Sequence, residues 1–124
     1  MAEREKRGFE VRFADETKKE FRKLGPSASF EILSAVQKKL TDRPDDYGEP
    51  LVRDLIGYRK LPVGQWRVVY CVEEAKILVL VLAVGKRAEG DHENIYDQIT
   101  RGDLDGRRET VRRRIEAEGR EQDR

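Results

Sequence analysis

Arg59, Lys60 and Arg67 fall within one stretch, GYRKLPVGQWRVVY, which holds no acidic residue. Elsewhere acids and bases are mixed almost one for one, 25 against 26. The stretch reads as two short strands joined at Val63-Gly64. With a two-residue connection there, Pro62 faces Gln65, Leu61 faces Trp66 and Lys60 faces Arg67. Like charges directly opposite on one face destabilise a sheet by up to ~1 kcal/mol, and an anion held between them reverses that sign. With a three-residue loop Arg67 faces Leu61 instead. Arg87, with Lys86 beside it, closes the later apolar run KILVLVLAV. If the two strands are neighbours joined through Glu73-Glu74-Ala75, Arg87 comes near the hairpin's open end. Lys60, Arg67 and Arg87 then converge on one patch, and guanidinium forks fit phosphate oxygens in pairs. The plainer reading is a solvated basic face, or bases paired with acids across strands.

Other reactive side chains are sparse. His92, the one histidine, titrates near neutrality and is a candidate acid or base beside Arg87, although its loop GDHEN reads as solvated. Cys71 is a lone cysteine within a strand pattern and reads as a small buried side chain. Trp66 can stack on a base or pack across strands on Leu61. Asp45, Asp46 and Glu49 form an acidic loop without metal-ligand spacing and read as solvated. No phosphate-binding glycine loop or paired-cysteine zinc pattern is present, so neither cofactor nor metal is implied. A net charge of +1 gives no bulk attraction to nucleic acid or membranes. A charged beginning, MAEREKRGFEV, and a longest apolar run too short to span a bilayer point to a reducing cytoplasm and no membrane partner.

The elements that must hold these residues follow from periodicity. Length, 124 residues, suits one core. Phe9, Val11 and Phe13 alternate as a half-buried strand; ADETKKEFRKL is helical and stops at Gly25-Pro26. A second helix, capped by Ser27 or Ser29, carries Phe30, Ile32, Leu33, Val36 and Leu40 as its apolar set. A turn-rich loop, 41–50, precedes strands at 51–61, 66–72 and 76–84, the last unbroken enough to be covered on both faces. Ile95, Tyr96 and Ile99 make one short docking helix. The expected fold is α+β, in β-α-α-β-β-β-α order, a small antiparallel sheet with two N-terminal helices packed on one face. The domain is expected to span 1–101, with 102–124 a charged tail, helical or disordered. Arg107, Arg108, Arg112, Arg113 and Arg114 form a stripe in that tail, offset by glutamates.

GYRKLPVGQWRVVY, the ending KILVLVLAVGKR and the downstream Tyr96 in NIYDQI, in that order, resemble the RelE/ParE superfamily of type II toxins over about 9–99. The resemblance implies a RelE-like fold and a toxin that cuts mRNA on the ribosome without a metal, the substrate's own 2′-hydroxyl attacking the adjacent phosphate. Carried over residue by residue, the catalytic candidates are Lys60, Arg67, Arg87 and Tyr96, with Lys86, Arg59 and Trp66 as RNA contacts. Pro62 stands where many members have a second basic residue, and AEGDHEN lengthens the gap before Tyr96. The resemblance also implies a cognate antitoxin, with operator DNA reached only through that complex. The sister ParE branch poisons DNA gyrase on the same fold, and a catalytically inactive co-repressor is a third role.

Overall fold

Val11 and Phe13, in alternation with Phe9 just ahead of them, set the inward side of the first strand, β1 (Glu10–Phe13). In this computed structural model, which describes residues 8–87 and 95–122, β1 runs into α1 (Glu16–Leu24). Phe21 of α1 meets Phe13 edge-on, ring centroids 6.2 Å apart. Gly25 ends α1 at φ 94°, and Pro26 opens α2 (Pro26–Ala35) at the first helical position, where its missing N–H leaves nothing unbonded. The expected serine cap does not form. Gly25 is the capping residue, and Ser29 donates its hydroxyl to the carbonyls of Gly25 at 2.7 Å and Phe21 at 3.1 Å.

The buried side of α2 is Ala28 and Ile32, continued by Val36 and Leu40 in a π-helical turn, Val36–Leu40. Steps of four overshoot a 3.6-residue turn, and the wider π turn brings the stripe back into phase. Phe30 and Leu33, expected in that stripe, are 76% and 43% exposed. Within the loop expected at 41–50 lie α3 (Pro44–Tyr47) and a two-residue strand, β2 (Glu49–Pro50). The remaining strands are β3 (Arg59–Val63), β4 (Trp66–Glu73) and β5 (Leu78–Lys86).

The sheet order is β1-β5-β4-β3-β2. Pairing is antiparallel from β2 to β5, but β1 joins β5 in parallel, so the sheet is mixed at that edge rather than wholly antiparallel. Central β5 is buried on both faces from Leu78 to Val84, as its unbroken apolar run requires. One face packs Leu61, Val68, Tyr70, Val79 and Val81 under Ile32, Val36 and Leu40 of the N-terminal helices. The other packs Val69, Cys71, Leu80 and Leu82 under Ile95 of α4 (Ile95–Gln98), Ile99 just past its end, and Leu104 and Val111 of α5 (Arg101–Gln122). Among the described residues no helix is long and apolar enough to cross a membrane.

Helix α5 occupies most of the charged C-terminal segment. Its arginines reach back to the body: Arg107 to Glu20 at 2.8 Å, Arg112 and Arg108 to Glu73 at 2.6 and 3.4 Å, and Arg12 in return to Glu118. The Tyr58 hydroxyl donates to Asp105, and the Tyr58 ring lies within 6 Å of the Arg101 and Arg108 guanidinium groups. Burial, then the Asp105 bond, pushes the Tyr58 hydroxyl up to about 12.

Candidate functional site

The hairpin that carries the basic residues turns one residue later than expected. β3 and β4 pair Val63 with Trp66, Pro62 with Arg67, Leu61 with Val68 and Lys60 with Val69, leaving Gly64-Gln65 as the connection. Gly64 has φ 58° at the first central position and Gln65 does not have a positive φ, the combination of a type II′ turn, which takes glycine first. Lys60 and Arg67 are therefore not directly opposite, and the three-residue alternative that faces Arg67 to Leu61 is not adopted either. Because the correction slides the pairing by two, the two bases keep the same face as diagonal neighbours, still within reach of long side chains. Pro62 lies where β3 is the sheet edge, since β2 pairs only with Arg59 and Lys60, so its missing N–H breaks no central ladder.

On that face Lys60 Nζ is 5.8 Å from the Tyr96 ring centroid and 3.7 Å from a Glu49 carboxylate oxygen. Arg67 is paired across the sheet with Gly85 and donates from Nη1 to the carbonyls of Gly64 and Trp66, both at 2.8 Å. The backbone N–H of Arg87 donates to the Gln65 carbonyl at 3.0 Å, tying the end of β5 to the hairpin turn. Tyr96 completes the group. Burial raises its hydroxyl above the ordinary tyrosine value; Arg67 and Arg87 act on it in the opposite sense, and Glu49 adds to the rise. Tyr96 comes so close because a Cβ on Gly85 would sit 3.0 Å from Ile95, so glycine there lets α4 settle on the strand. Lys60, Arg67, Arg87 and Tyr96 thus share one end of the face that α4 and α5 cover.

The other three RNA-contact candidates are elsewhere. Arg59 alternates to the opposite face, where Nη2 donates to the carbonyls of Asp45 at 2.6 Å and Gly48 at 2.7 Å and Nε to the Tyr70 hydroxyl at 3.4 Å. Trp66 and Lys86 pair directly across β4 and β5 and also belong to that face. His92 lies outside the described residues. Burial pushes the Cys71 thiol up to about 11, consistent with a packed side chain and not a nucleophile.

Glu49, read as part of a solvated acidic loop, is solvated, its side chain 67% exposed, but it also pairs in register with Lys60 and is the carboxylate the patch faces. A two-residue strand is too short to show alternation. The legible signal was Gly48, where a Cβ would fall 1.8 Å from the Tyr70 hydroxyl and 2.9 Å from the Lys60 carbonyl. Only glycine admits that approach, and it delivers Glu49 to Lys60.

Comparison with known proteins now adds family to geometry. Residues 11–91 match the model for the ParE toxin of the type II toxin–antitoxin system parDE. The chain belongs to this family, within the RelE/ParE superfamily of toxins. Among solved structures, it is similar to the toxin–antitoxin complex RelBE2 of Mycobacterium tuberculosis, with 27% identity and a TM-score of 0.62 over 66% of this chain and 94% of that one. It is similar to the isolated RelE toxin of E. coli, with 26% identity and a TM-score of 0.53 over 65% and 88%. A mutant E. coli RelE bound to an antitoxin RelB peptide shares the fold at 23% identity and a TM-score of 0.55, over 76% and 97%. A sequence search of curated proteins gives no match. The RelE-like α+β architecture is therefore shared, and α5 lies beyond the span of the family match.

Proposed function

We propose that the protein is a ribosome-dependent mRNA endoribonuclease that halts translation, held inactive by a cognate antitoxin. The observation that supports this reading most is the convergence of Lys60, Arg67, Arg87 and Tyr96 at one end of one sheet face. In the proposed reaction the substrate's 2′-oxygen bonds to the adjacent phosphorus and the bond to the 5′-oxygen breaks, leaving a cyclic phosphate and a 5′-hydroxyl. Arg67 and Arg87 offset the charge that builds on the phosphorane oxygens. Tyr96, whose raised hydroxyl keeps its proton at neutral pH, donates to the departing 5′-oxygen. Glu49, beside Lys60, accepts the 2′-hydroxyl proton, and Lys60 holds the phosphate and the carboxylate in one geometry.

The antitoxin is proposed because similar toxins are solved in complex with one. Operator DNA is reached only through that complex. Its natural target here is the basic patch, which an acidic or extended segment covers.

The test is primer extension on an mRNA in a bacterial translation extract. New 5′ ends inside translated codons, absent when ribosomes are omitted, are expected. Glu49→Gln should lower the cleavage rate about 10²-fold while leaving mRNA binding intact; an unchanged or faster rate would make Glu49 a counterion only. The second reading, a DNA gyrase poison, is favoured by the family match itself, which carries the ParE description. Under it, no new mRNA ends form, and Arg67→Ala leaves toxicity intact.

A further inference from the structure

β1 ends at Phe13, opposite Val81, whereas β5 runs on to Lys86. Between them lies an irregularity: Tyr70 pairs with Val81 and Val69 with Ala83, so Leu82 is an extra residue. The edge so uncovered is partly sealed by one ion pair. Glu20 accepts from the Val84 N–H at 3.1 Å and from Arg107 at 2.8 Å, and Arg107 also donates to the Leu82 carbonyl at 2.9 Å. Past this seal the edge opens into a cleft of about 410 Å³. Leu24, Trp66 and Ile95 make its apolar walls, and Lys23 and Lys86 stand on its lining. Glu20 is the only acid there among the described residues, and Arg107 offsets it, so two lysines set the cleft's charge.

We propose that this cleft is a nucleotide subsite that takes a base next to the scissile phosphate, with Trp66 against the base and Lys23 and Lys86 toward the backbone. This rests on the nuclease reading and deepens it. The chemistry is that of an anion carrying a flat apolar ring: an aromatic wall for stacking, basic side chains for phosphate, and a size suited to one base. Position agrees. Gly85 and Ile95 line the cleft, while Gly85 is the sheet partner of Arg67 and Ile95 precedes Tyr96. An RNA with one phosphate at Arg67 and Arg87 passes round the end of β5 and enters the cleft with its next nucleotide. It also gives Trp66 and Lys86 a use on the face that the catalytic candidates do not occupy.

Trp66 is the only tryptophan in the chain, so its fluorescence reports on the cleft directly. The full-length protein is titrated with a short 2′-O-methyl oligoribonucleotide, which cannot supply the attacking hydroxyl. A saturable change in Trp66 emission is expected. It should shift to about tenfold higher oligonucleotide in Lys23→Glu/Lys86→Glu. Circular dichroism checks that the double variant is folded, and Lys23→Gln/Lys86→Gln should shift the curve less. An emission change indifferent to the lysines would overturn the subsite. So would a change driven by an acidic amphipathic peptide and not by RNA, which would give the cleft to a protein partner. Cleavage in the translation extract with unchanged Trp66 emission removes the cleft and keeps the nuclease. Emission change without cleavage supports the cleft and removes the nuclease.

Discussion

Arg59 and Lys60 are neighbours in the chain and serve opposite faces of the same strand. Arg59 reaches the N-terminal helix side and donates to the carbonyls of Asp45 and Gly48, bracing the loop that α3 begins. Lys60 reaches the side of α4 and meets a carboxylate and an aromatic ring at the sheet's end. On one face a cation is consumed by structure. On the other, Lys60, Arg67, Arg87 and Tyr96 are gathered at one end of the sheet. Neither charge nor a claimed donor marks a site, since Arg67 also donates to the Gly64 and Trp66 carbonyls; what sets this face apart is that these four side chains come together on it.

The sharpest way to break that contrast is to remove arginines from each side. Arg67→Ala and Arg87→Ala should each lower mRNA cleavage by about 10²–10³-fold, the scale of losing one charge-stabilising donor; Arg67→Ala should also cost about 1 kcal/mol of stability, since it gives up the Gly64 and Trp66 carbonyls. Arg59→Ala should do the reverse. It should lower stability by about 1–3 kcal/mol, because it strips partners from partly buried carbonyls, while the folded fraction still cuts. Primer extension and thermal denaturation read the two effects separately. Equal cleavage loss in all three variants would dissolve the distinction between the faces.

Tyr96 tests the contrast at the next level. Tyr96→Phe keeps the ring over Lys60 and removes only the proton, so cleavage should fall by about 10²-fold with mRNA affinity unchanged. Burial raises the hydroxyl above its ordinary value, so the proton is present at neutral pH and is lost only as pH climbs beyond about 10. In an ultraviolet titration the tyrosinate band that disappears in Tyr96→Phe should therefore be a late-titrating one. A band appearing near neutrality would instead make Tyr96 a base.

Much of the architecture was legible in periodicity. Alternation at Phe9, Val11 and Phe13 and the unbroken run in β5 each have one stable solution, and Gly25-Pro26 stops a helix for steric reasons alone. The parallel seat of β1 was not legible, since parallel and antiparallel pairing bury the same side chains. The exact register depended on which central turn residue Gly64 would be, a choice invisible to alternation because it moves the pairing by two. Within the candidate site the residue types were readable and the faces were half readable. Period two separates Arg59 from Lys60 and Trp66 from Arg67, and the expected patch held only Lys60, Arg67 and Arg87. Glu49 was hidden because its strand spans two residues, too few for any period.

A second comparison lies along α5, between its two fully buried anchors and its row of ion pairs. Leu104 and Val111 are buried in the core that also holds Val69 and Leu82. Leu104→Ala should lower stability by about 2–5 kcal/mol, because it loses transfer energy and leaves a cavity.

The ion pairs should matter much less at neutral pH. Arg112→Gln should change stability by under about 1 kcal/mol, since Arg108 still holds Glu73 and exposed guanidinium groups regain water. The pairs act mainly through pH. The Arg112 hydrogen bond is the chief cause holding Glu73 below the ordinary carboxylate value, so its contribution is full above about pH 4.5 and is lost as pH falls further. Tyr58 acts at the other end: its raised hydroxyl stabilises below pH 10 and loses that contribution as pH rises toward about 12. Thermal unfolding of the wild type should therefore weaken in both directions. Arg112→Gln should flatten the acid side alone and Tyr58→Phe the alkaline side alone. If both variants flatten the same limb, α5 is not held by these two clasps.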